Sequence, residues 1–528
     1  MAKSTSSQGV LNAVGRSTPR VVNGVPRVPF QGIGNHRPEH SMASPPIRSC
    51  ADYPSDGNKL VTSLREALKK SGLKSGMTIS THHHLRNGDT MTNYLFDTIK
   101  QMGVKDIRWF PSASFPCHEY LMKYLKDGTI HHIEGSMNGP LGMYVSEGNM
   151  AGVGVLRSHG GRYQAIQDGD VHIDIAIIAA PSADAFGNAN GVTGKSAFGP
   201  VGFALADSEY ADRVIVVTDN LVPFPCIPWH IQGNNVDYVV QVESLGDASK
   251  ILFGTTVMTK SPDRLLIAEY VARFVEEAGI VRDGFSFQAG AGGISLAFLS
   301  YLKERMKTRR VKARFIRGGS TKYLVEMLEE GLTEYVLDGQ AFDIDGVRSL
   351  RDNPRHVNTS PFTSYNFHGK GNFASMLDVV VLGATEVDVK FNANVVTHSD
   401  GSLLHGIGGW QDCLSARCVI LAIPSFRDRV PIIVDEVTTL CGPGELIDVV
   451  ITERGIAINP ARKDLLDQLS KSRLPIRGID ELQREVYKIC GGAPERPRLS
   501  REKIVAIVNW VDGTVLDSVF QTQHSARK

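Results

Sequence analysis

Apolar residues along this chain fall into short continuous runs separated by polar, glycine-rich turns, and one such run occurs twice. Asp174 to Asn190 reads DIAIIAAPSADAFGNAN, and Asp378 to Asn394 reads DVVVLGATEVDVKFNAN. The offset is 378 − 174 = 204, and it holds without a gap at Asp184/Asp388, Asn188/Asn392, Ala189/Ala393 and Asn190/Asn394. A run without polar alternation is the pattern of a strand buried on both faces of a parallel sheet. The Asn-Ala-Asn that follows suits a turn, because Asn bonds its own backbone and tolerates left-handed angles. Weaker matches extend the repeat to Arg213-Val214-Ile215 against Arg417-Cys418-Val419, to Glu134-Gly135 against Asp338-Gly339, and to Gly76–Ile79 against Gly284–Phe287. A period this long is no solenoid. It predicts two tandem homologous open α/β domains, over residues 59–250 and 251–528, with the ligand site in the cleft between them.

The rest of the pattern fills in that plan. Leu60–Leu68 has helical spacing, Met77–Ser80 is a strand, and a helix carries Tyr94, Leu95, Ile99 and Met102. Further strands are expected at Val104–Phe110, Ile130–Ile133, Val214–Thr218 and Thr333–Leu337, with an amphipathic helix through Leu296, Phe298, Leu299 and Leu302. Helices near Leu465–Leu469 and Ile479–Tyr487, then a hairpin around Asp512-Gly513, form a C-terminal extension. Residues 1–58, rich in Ser, Pro, Gly and Arg, read as a flexible arm that could drape over a neighbouring subunit.

Composition narrows the class. With 528 residues the chain is too long for one core. A net charge of +1 leaves no footprint for nucleic acid or a membrane surface. No apolar run approaches a membrane span, the N-terminus lacks a signal-peptide core, and seven scattered cysteines argue for a reducing compartment. A cytoplasmic protein is expected.

Candidate chemistry sits at strand ends, where open α/β sheets place ligands. The first is Thr81-His82-His83-His84-Leu85-Arg86-Asn87-Gly88-Asp89, between a strand and a helix. A helix start attracts anions, and an Arg beside it can hold a carboxylate with two parallel bonds. Two other readings stand beside this one. Adjacent histidines could ligate a metal, though neighbours on a strand point to opposite faces and no second ligand cluster helps. Arg86 could pair with Asp89 at the surface. The equivalent turn of the second half is Ala289-Gly290-Ala291-Gly292-Gly293, which allows a close backbone approach to a ligand. Asp338-Gly339-Gln340 could supply a nucleophile or cap a turn. His405–Asp412 contains a second glycine loop. Gly191–Ser196 loosely fits a phosphate loop, but it neither leaves a strand nor opens a helix, so we read it as coincidence.

These features together resemble the CoA-transferase superfamily. THHHLRNGDTMTN, IEGSMNGPLG, FGNANG and VKFNANVVTHSDG are similar, more closely, to the alpha-subunit family of citrate lyases. The resemblance implies a thioester exchange, from acetate to citrate, on an acyl carrier protein or CoA. It implies beta (lyase) and gamma (carrier) subunits as partners, a homo-oligomer, citrate, acetate and acetyl-CoA as small-molecule ligands, and no cofactor or metal held by the chain itself. Many CoA-transferases use a Glu-x-Gly nucleophile, whereas Asp338-Gly339-Gln340 stands in that neighbourhood here. Direct attack by a citrate carboxylate on the thioester is therefore expected, with Asp338 as a nucleophile or positioning group at most. On this view citrate meets His83, His84, Arg86, Asn87 and Gly88, with Ser112, Ser114, Asn138 and Gly139 nearby. The thioester meets Gly290, Gly292, Gly293, Asn392, Asn394, Gly406, Gly408 and Gly409. A general short-chain acyl-CoA:carboxylate transferase and a non-catalytic sensing or scaffold subunit are the competing expectations.

Overall fold

The computed structural model describes residues 9–38, 54–252, 256–367 and 369–523. The apolar runs form the centres of two large sheets. The first has the strand order Leu60–Val61, Tyr238–Gln241, Arg213–Thr218, Ile175–Ala180, Thr78–Thr81, Ile107–Pro111, Ile130–Ile133, all parallel. The second runs His356–Asn358, Thr333–Ala341, Ala313–Ser320, Ser286–Ala289, Val379–Leu382, Val419–Ala422, Val449–Thr452 and Gly455–Ile458, parallel except for the last strand. Ile175–Ala180 is buried along its whole length, as a strand covered on both faces must be. This is the α/β architecture expected from the repeat.

The repeat is visible atom by atom. Asp174 accepts the Thr78 N–H at 2.7 Å, and its counterpart Asp378 accepts the Ser286 N–H at 2.9 Å. Asp237 accepts the Val214 N–H at 2.8 Å, and Asp448 accepts the Val419 N–H at 2.7 Å. Each carboxylate satisfies an end-of-strand donor that would otherwise be orphaned, and so fixes where its neighbour begins. Each half also carries a small three-stranded sheet beyond the main one, built on Ser182–Asp184 in the first and Glu386–Asp388 in the second.

Packing joins the halves. One continuous apolar core runs from Leu64 and Trp109 in the first half to Val380, Leu382 and Val419 in the second. A separate core lies on the other face of the second sheet, under helices Pro262–Glu277 and Gly293–Arg309. The termini depart from expectation. Residues 9–38 are read from the sequence as part of a flexible arm, yet they form two short hairpins laid on their own chain. Asn12 donates to the Leu516 carbonyl at 2.7 Å, and the Phe30 N–H to the Val515 carbonyl at 2.9 Å. The C-terminal hairpin, Leu499–Asn509 with Val515–Thr522, pairs in parallel with Gly154–Leu156 of the first half rather than with the second sheet. No described helix is long and apolar enough to cross a membrane.

Candidate active site

The carboxyl ends of the two sheets meet. A Cβ on Gly202 of the first half would lie 2.6 Å from the Gly339 carbonyl of the second, and Ser158 is bridged to Gly408. The His-rich loop lies in this junction, and its three imidazoles have separate roles. His82 accepts the Ala179 N–H on Nε2 at 3.1 Å and belongs to the first sheet. His84 lies 3.5 Å from Asp89. His83 reaches across the cleft, with Nδ1 2.6 Å from Ser112 Oγ and Nε2 bonded to the Gln340 side chain of the second half. Gly318 and Gly319 of strand Ala313–Ser320 pair with Asp338 and Gln340, so Gly339 is left over as a bulge in strand Thr333–Ala341, the usual device for re-aiming a side chain such as Gln340.

Arg86 follows in the left-handed region at φ 53°, a strained angle for a side chain with a Cβ. Its guanidinium is buried, held by the Ile251 carbonyl at 2.8 Å and stacked 4.5 Å from the Phe342 ring. Nε has no partner, and among the described residues Arg86 forms no ion pair. Burial alone pulls its pKa down to about 10. The chain has thus desolvated a cation without supplying an anion, a costly arrangement unless a ligand provides one.

Other groups continue the strip toward the second half. The His83 ring lies 5.1 Å from Phe203, which is 4.2 Å from His159, and His159 is 6.3 Å from Tyr365. Tyr365 lies 4.2 Å beneath the guanidinium of Arg317. Burial drives His83 well below its ordinary value, and burial, with Arg162 and Arg317 adding to it, pulls His159 down to about 3. Both are neutral imidazoles at physiological pH, able to offer an N–H hydrogen bond but not a charge. The cavity left among His82, His83, His84, Phe198, Phe203 and Gln340 is about 10 Å³, room for one water, so the cleft must open to admit a ligand.

Several expected site residues are engaged in holding the scaffold. The helix start expected to catch an anion is already capped. Asp89 accepts the Met91 N–H at 2.8 Å and lies 3.0 Å from His118 Nε2. Asn87 accepts the Cys117 N–H at 3.1 Å. Gly88 is bare because a Cβ there would sit 2.0 Å from the Asp247 carbonyl. Ser114 bonds the Ser136 carbonyl at 2.7 Å, Asn138 bonds the Ser114 carbonyl at 2.7 Å, and Gly139 opens a helix at φ 53°. Asp338 is fully buried, accepting from Ser320 Oγ at 2.5 Å and the Gln340 N–H at 2.8 Å, with His356 3.3 Å away. That carboxylate is spent on the strand ends, which removes the reason to expect a nucleophile there.

The thioester-side residues divide in the same way. Asn392 is bound to Asp388 at 3.0 Å, as Asn188 is to Asp184 at 2.9 Å. Asn394 accepts the Val396 and Thr397 N–H groups, as Asn190 accepts those of Val192 and Thr193. Both are turn-holders shared by the halves. Gly293, Gly406 and Gly409 are bare for their own neighbours, Val257, Ser136 and Tyr365. Gly408 needs its φ of 63°, and its carbonyl accepts the His159 N–H at 2.8 Å. Gly290 and Gly292 alone have ordinary angles and no tight contact of their own.

Arg317, His159, Phe203 and Tyr365 escape sequence reasoning. A signal for Arg317 exists: it is a charge at the carboxyl end of an apolar strand, followed by Gly318-Gly319.

Comparison with known proteins identifies the company this geometry keeps. The family model described as citrate lyase, alpha subunit (CitF) matches residues 57–522. The citrate lyase alpha chain of Haemophilus influenzae is 40% identical over 467 residues, covering 88% of this chain and 93% of that one. The Escherichia coli citrate lyase alpha chain is also 40% identical, over 88% of this chain and 91% of its own. A crystal structure of a Streptococcus mutans protein assigned as a citrate lyase alpha subunit, solved in complex with citrate, superposes with a TM-score of 0.92 at 40% identity, covering 97% of this chain and 100% of that one. A Pseudomonas malonate decarboxylase hetero-tetramer in complex with malonate shares the fold alone, with a TM-score of 0.60 at 17% identity over 83% of this chain and 94% of that one.

Proposed function

This chain belongs to the citrate lyase alpha-subunit family, and from that membership we propose that it moves a thioester from acetate to citrate. It works as the transferase subunit of a citrate lyase, alongside the lyase and acyl-carrier subunits. The carrier's prosthetic thiol, or CoA in its place, is a substrate, and the chain holds no cofactor of its own. The observation that carries the reading is the buried Arg86 guanidinium, which lies in a cleft between two strand-end surfaces and has no anion.

The chemistry needs little from the protein beyond placement. A citrate carboxylate held by Arg86 attacks the acetyl thioester carbonyl. The carbon–sulfur bond breaks, the thiolate leaves, and a citryl–acetyl anhydride remains. The thiolate then attacks the citryl carbonyl, and the bond from that carbon to the bridging oxygen breaks, so that acetate leaves with the bridging oxygen that came from citrate. Backbone N–H groups and the neutral His159 stabilise the oxyanions without proton transfer. Orientation in a closed site supplies much of the remaining rate. The commitment of Asp338 to Ser320 and Gln340 supports a route with no acyl-enzyme.

A single turnover with citrate labelled with heavy oxygen in its carboxylates, and acetyl-CoA as carrier surrogate, tests this. The acetate released should carry one labelled oxygen. Unlabelled acetate with label left on the protein would instead favour the general acyl-CoA transferase route through an enzyme carboxylate. Arg86→Ala should lower kcat/KM for citrate by about 100-fold while moving the KM for acetyl-CoA less than about threefold.

A further inference from the structure

The second half presents another buried guanidinium that has no ion-pair partner among the described residues. Arg317 is 1% exposed at the carboxyl end of strand Ala313–Ser320. Nη1 donates to Gln288 Oε1 at 2.7 Å, the guanidinium lies 4.2 Å over the Tyr365 ring, and Nε is buried with no partner. No described carboxylate comes within the 4.0 Å of an ion pair. The carboxyl group that faces it from the glycine loop, Asp412, is occupied elsewhere, accepting from Ser158 Oγ at 2.8 Å and the Gly160 N–H at 3.0 Å. Contrast Arg162, buried nearby, whose two terminal nitrogens hold Asp207 at 2.7 and 2.9 Å. The fold supplies a counter-ion where it wants a structural arginine.

We propose that Arg317 is a second carboxylate receptor and the residue that makes the site select a polycarboxylate over a monocarboxylate acceptor. Arg86 takes one carboxylate of the acceptor from the first half, and Arg317 takes another from the second. The rings of His83, Phe203 and His159 follow one another in contact, and His159 lies 6.3 Å from the Tyr365 ring that sits beneath Arg317. A bridging acid then has a reason to close the two halves on each other, which acetate, with one carboxylate, cannot supply. Gly318 and Gly319, which follow Arg317, are packed against the Gln288 side chain and the Phe342 ring, and that ring also stacks on Arg86. The inference rests on the cleft being the acceptor site.

Titration calorimetry on the full-length chain tests it, with citrate added directly and acetate read by competition against citrate. Arg317→Gln should weaken citrate by about 100-fold and acetate by less than about threefold. Arg317→Lys should recover part of the citrate loss, because the charge returns without the fork that matches a carboxylate. Should the glutamine variant fail to fold, the citrate-to-acetate ratio of the lysine variant decides, with a fall of about tenfold expected. Equal weakening of both ligands, or an unchanged citrate affinity, overturns the proposal. Binding needs no turnover. A wild-type chain that discriminates in this way yet never releases acetate would therefore sink the exchange reading and leave this one standing.

Discussion

The two halves use the same local architecture for different ends. Asp184, Asn188 and Asn190 in the first half and Asp388, Asn392 and Asn394 in the second make the same hydrogen bonds at matching positions. The turns after the first central strand share nothing. One carries His82–Arg86, packed and partly charged, and the other carries Gly290–Gly293, almost without side chains. In a duplicated fold, what both copies keep is scaffold, and what only one copy has is where to look for chemistry. On that rule Asn392 and Asn394 read as scaffold, and Arg317, with no charged counterpart at the end of Ile107–Pro111, is where to look for chemistry.

The largest effect expected tests the shared part. The buried Asp184 accepts the backbone N–H groups of Phe186, Gly187 and Cys226, and the buried Asp388 accepts those of Lys390 and Asn392. Asp184→Ala and Asp388→Ala should each cost about 3–5 kcal/mol, because several buried donors lose their acceptor at once. Urea midpoints should fall for both variants, and the residual folded protein should keep its KM for acetyl-CoA. If Asp388→Ala spared stability and abolished thioester use, the symmetry would be broken and the turn would belong to the site.

A somewhat smaller effect separates the halves by pH. The first-half loop is fastened by His118 against Asp89, and the equivalent glycine loop has no titratable group. Burial opposes the charge on His118, but Asp89 outweighs it and pushes the pKa from 6.5 up to about 9. A group raised on folding stabilises fully below its unfolded value and loses that contribution as pH climbs through the folded one. About 3 kcal/mol, from 1.36 × (9 − 6.5), should therefore drain away between pH 6.5 and about 9. The difference in thermal midpoint between wild type and His118→Gln should shrink across that window. A constant difference would show that the pair is held by geometry rather than charge.

Much of the scaffold is legible in the sequence because repetition and apolar runs are local signals. The strands around Ile175 and Val379, their common offset and the α/β plan need no tertiary information. The site is legible only in part. His83 and Arg86 stand out as unusual residues at a strand end, but nothing along the chain distinguishes His83, which crosses to Gln340, from His82, which does not. Gly88 looks like a ligand glycine until the Asp247 carbonyl is found against it. The terminal segments mislead for a related reason. Short apolar pairs such as Val21-Val22 cannot bury themselves, and their partner, the C-terminal hairpin, lies nearly five hundred residues away.

The smallest effects sharpen the comparison most, because they ask why each loop has its glycine. At Gly88 a methyl group would meet the Asp247 carbonyl at 2.0 Å, and backbone cannot yield as a side chain can. Gly88→Ala should cost about 1–3 kcal/mol and disturb citrate use only through the loss of fold. At Gly292, the residue before helix Gly293–Arg309, φ is −78° and a methyl group meets nothing within 4 Å. The chain itself has no need of glycine there, so Gly292→Ala should change stability by less than about 0.5 kcal/mol. If the thioester arm passes over that helix start, the same methyl group should raise the KM for acetyl-CoA several-fold while leaving citrate affinity alone. A Gly292→Ala chain with an unchanged KM would move the thioester away from this loop and leave the glycine loop around Gly408 as the remaining approach from the second half.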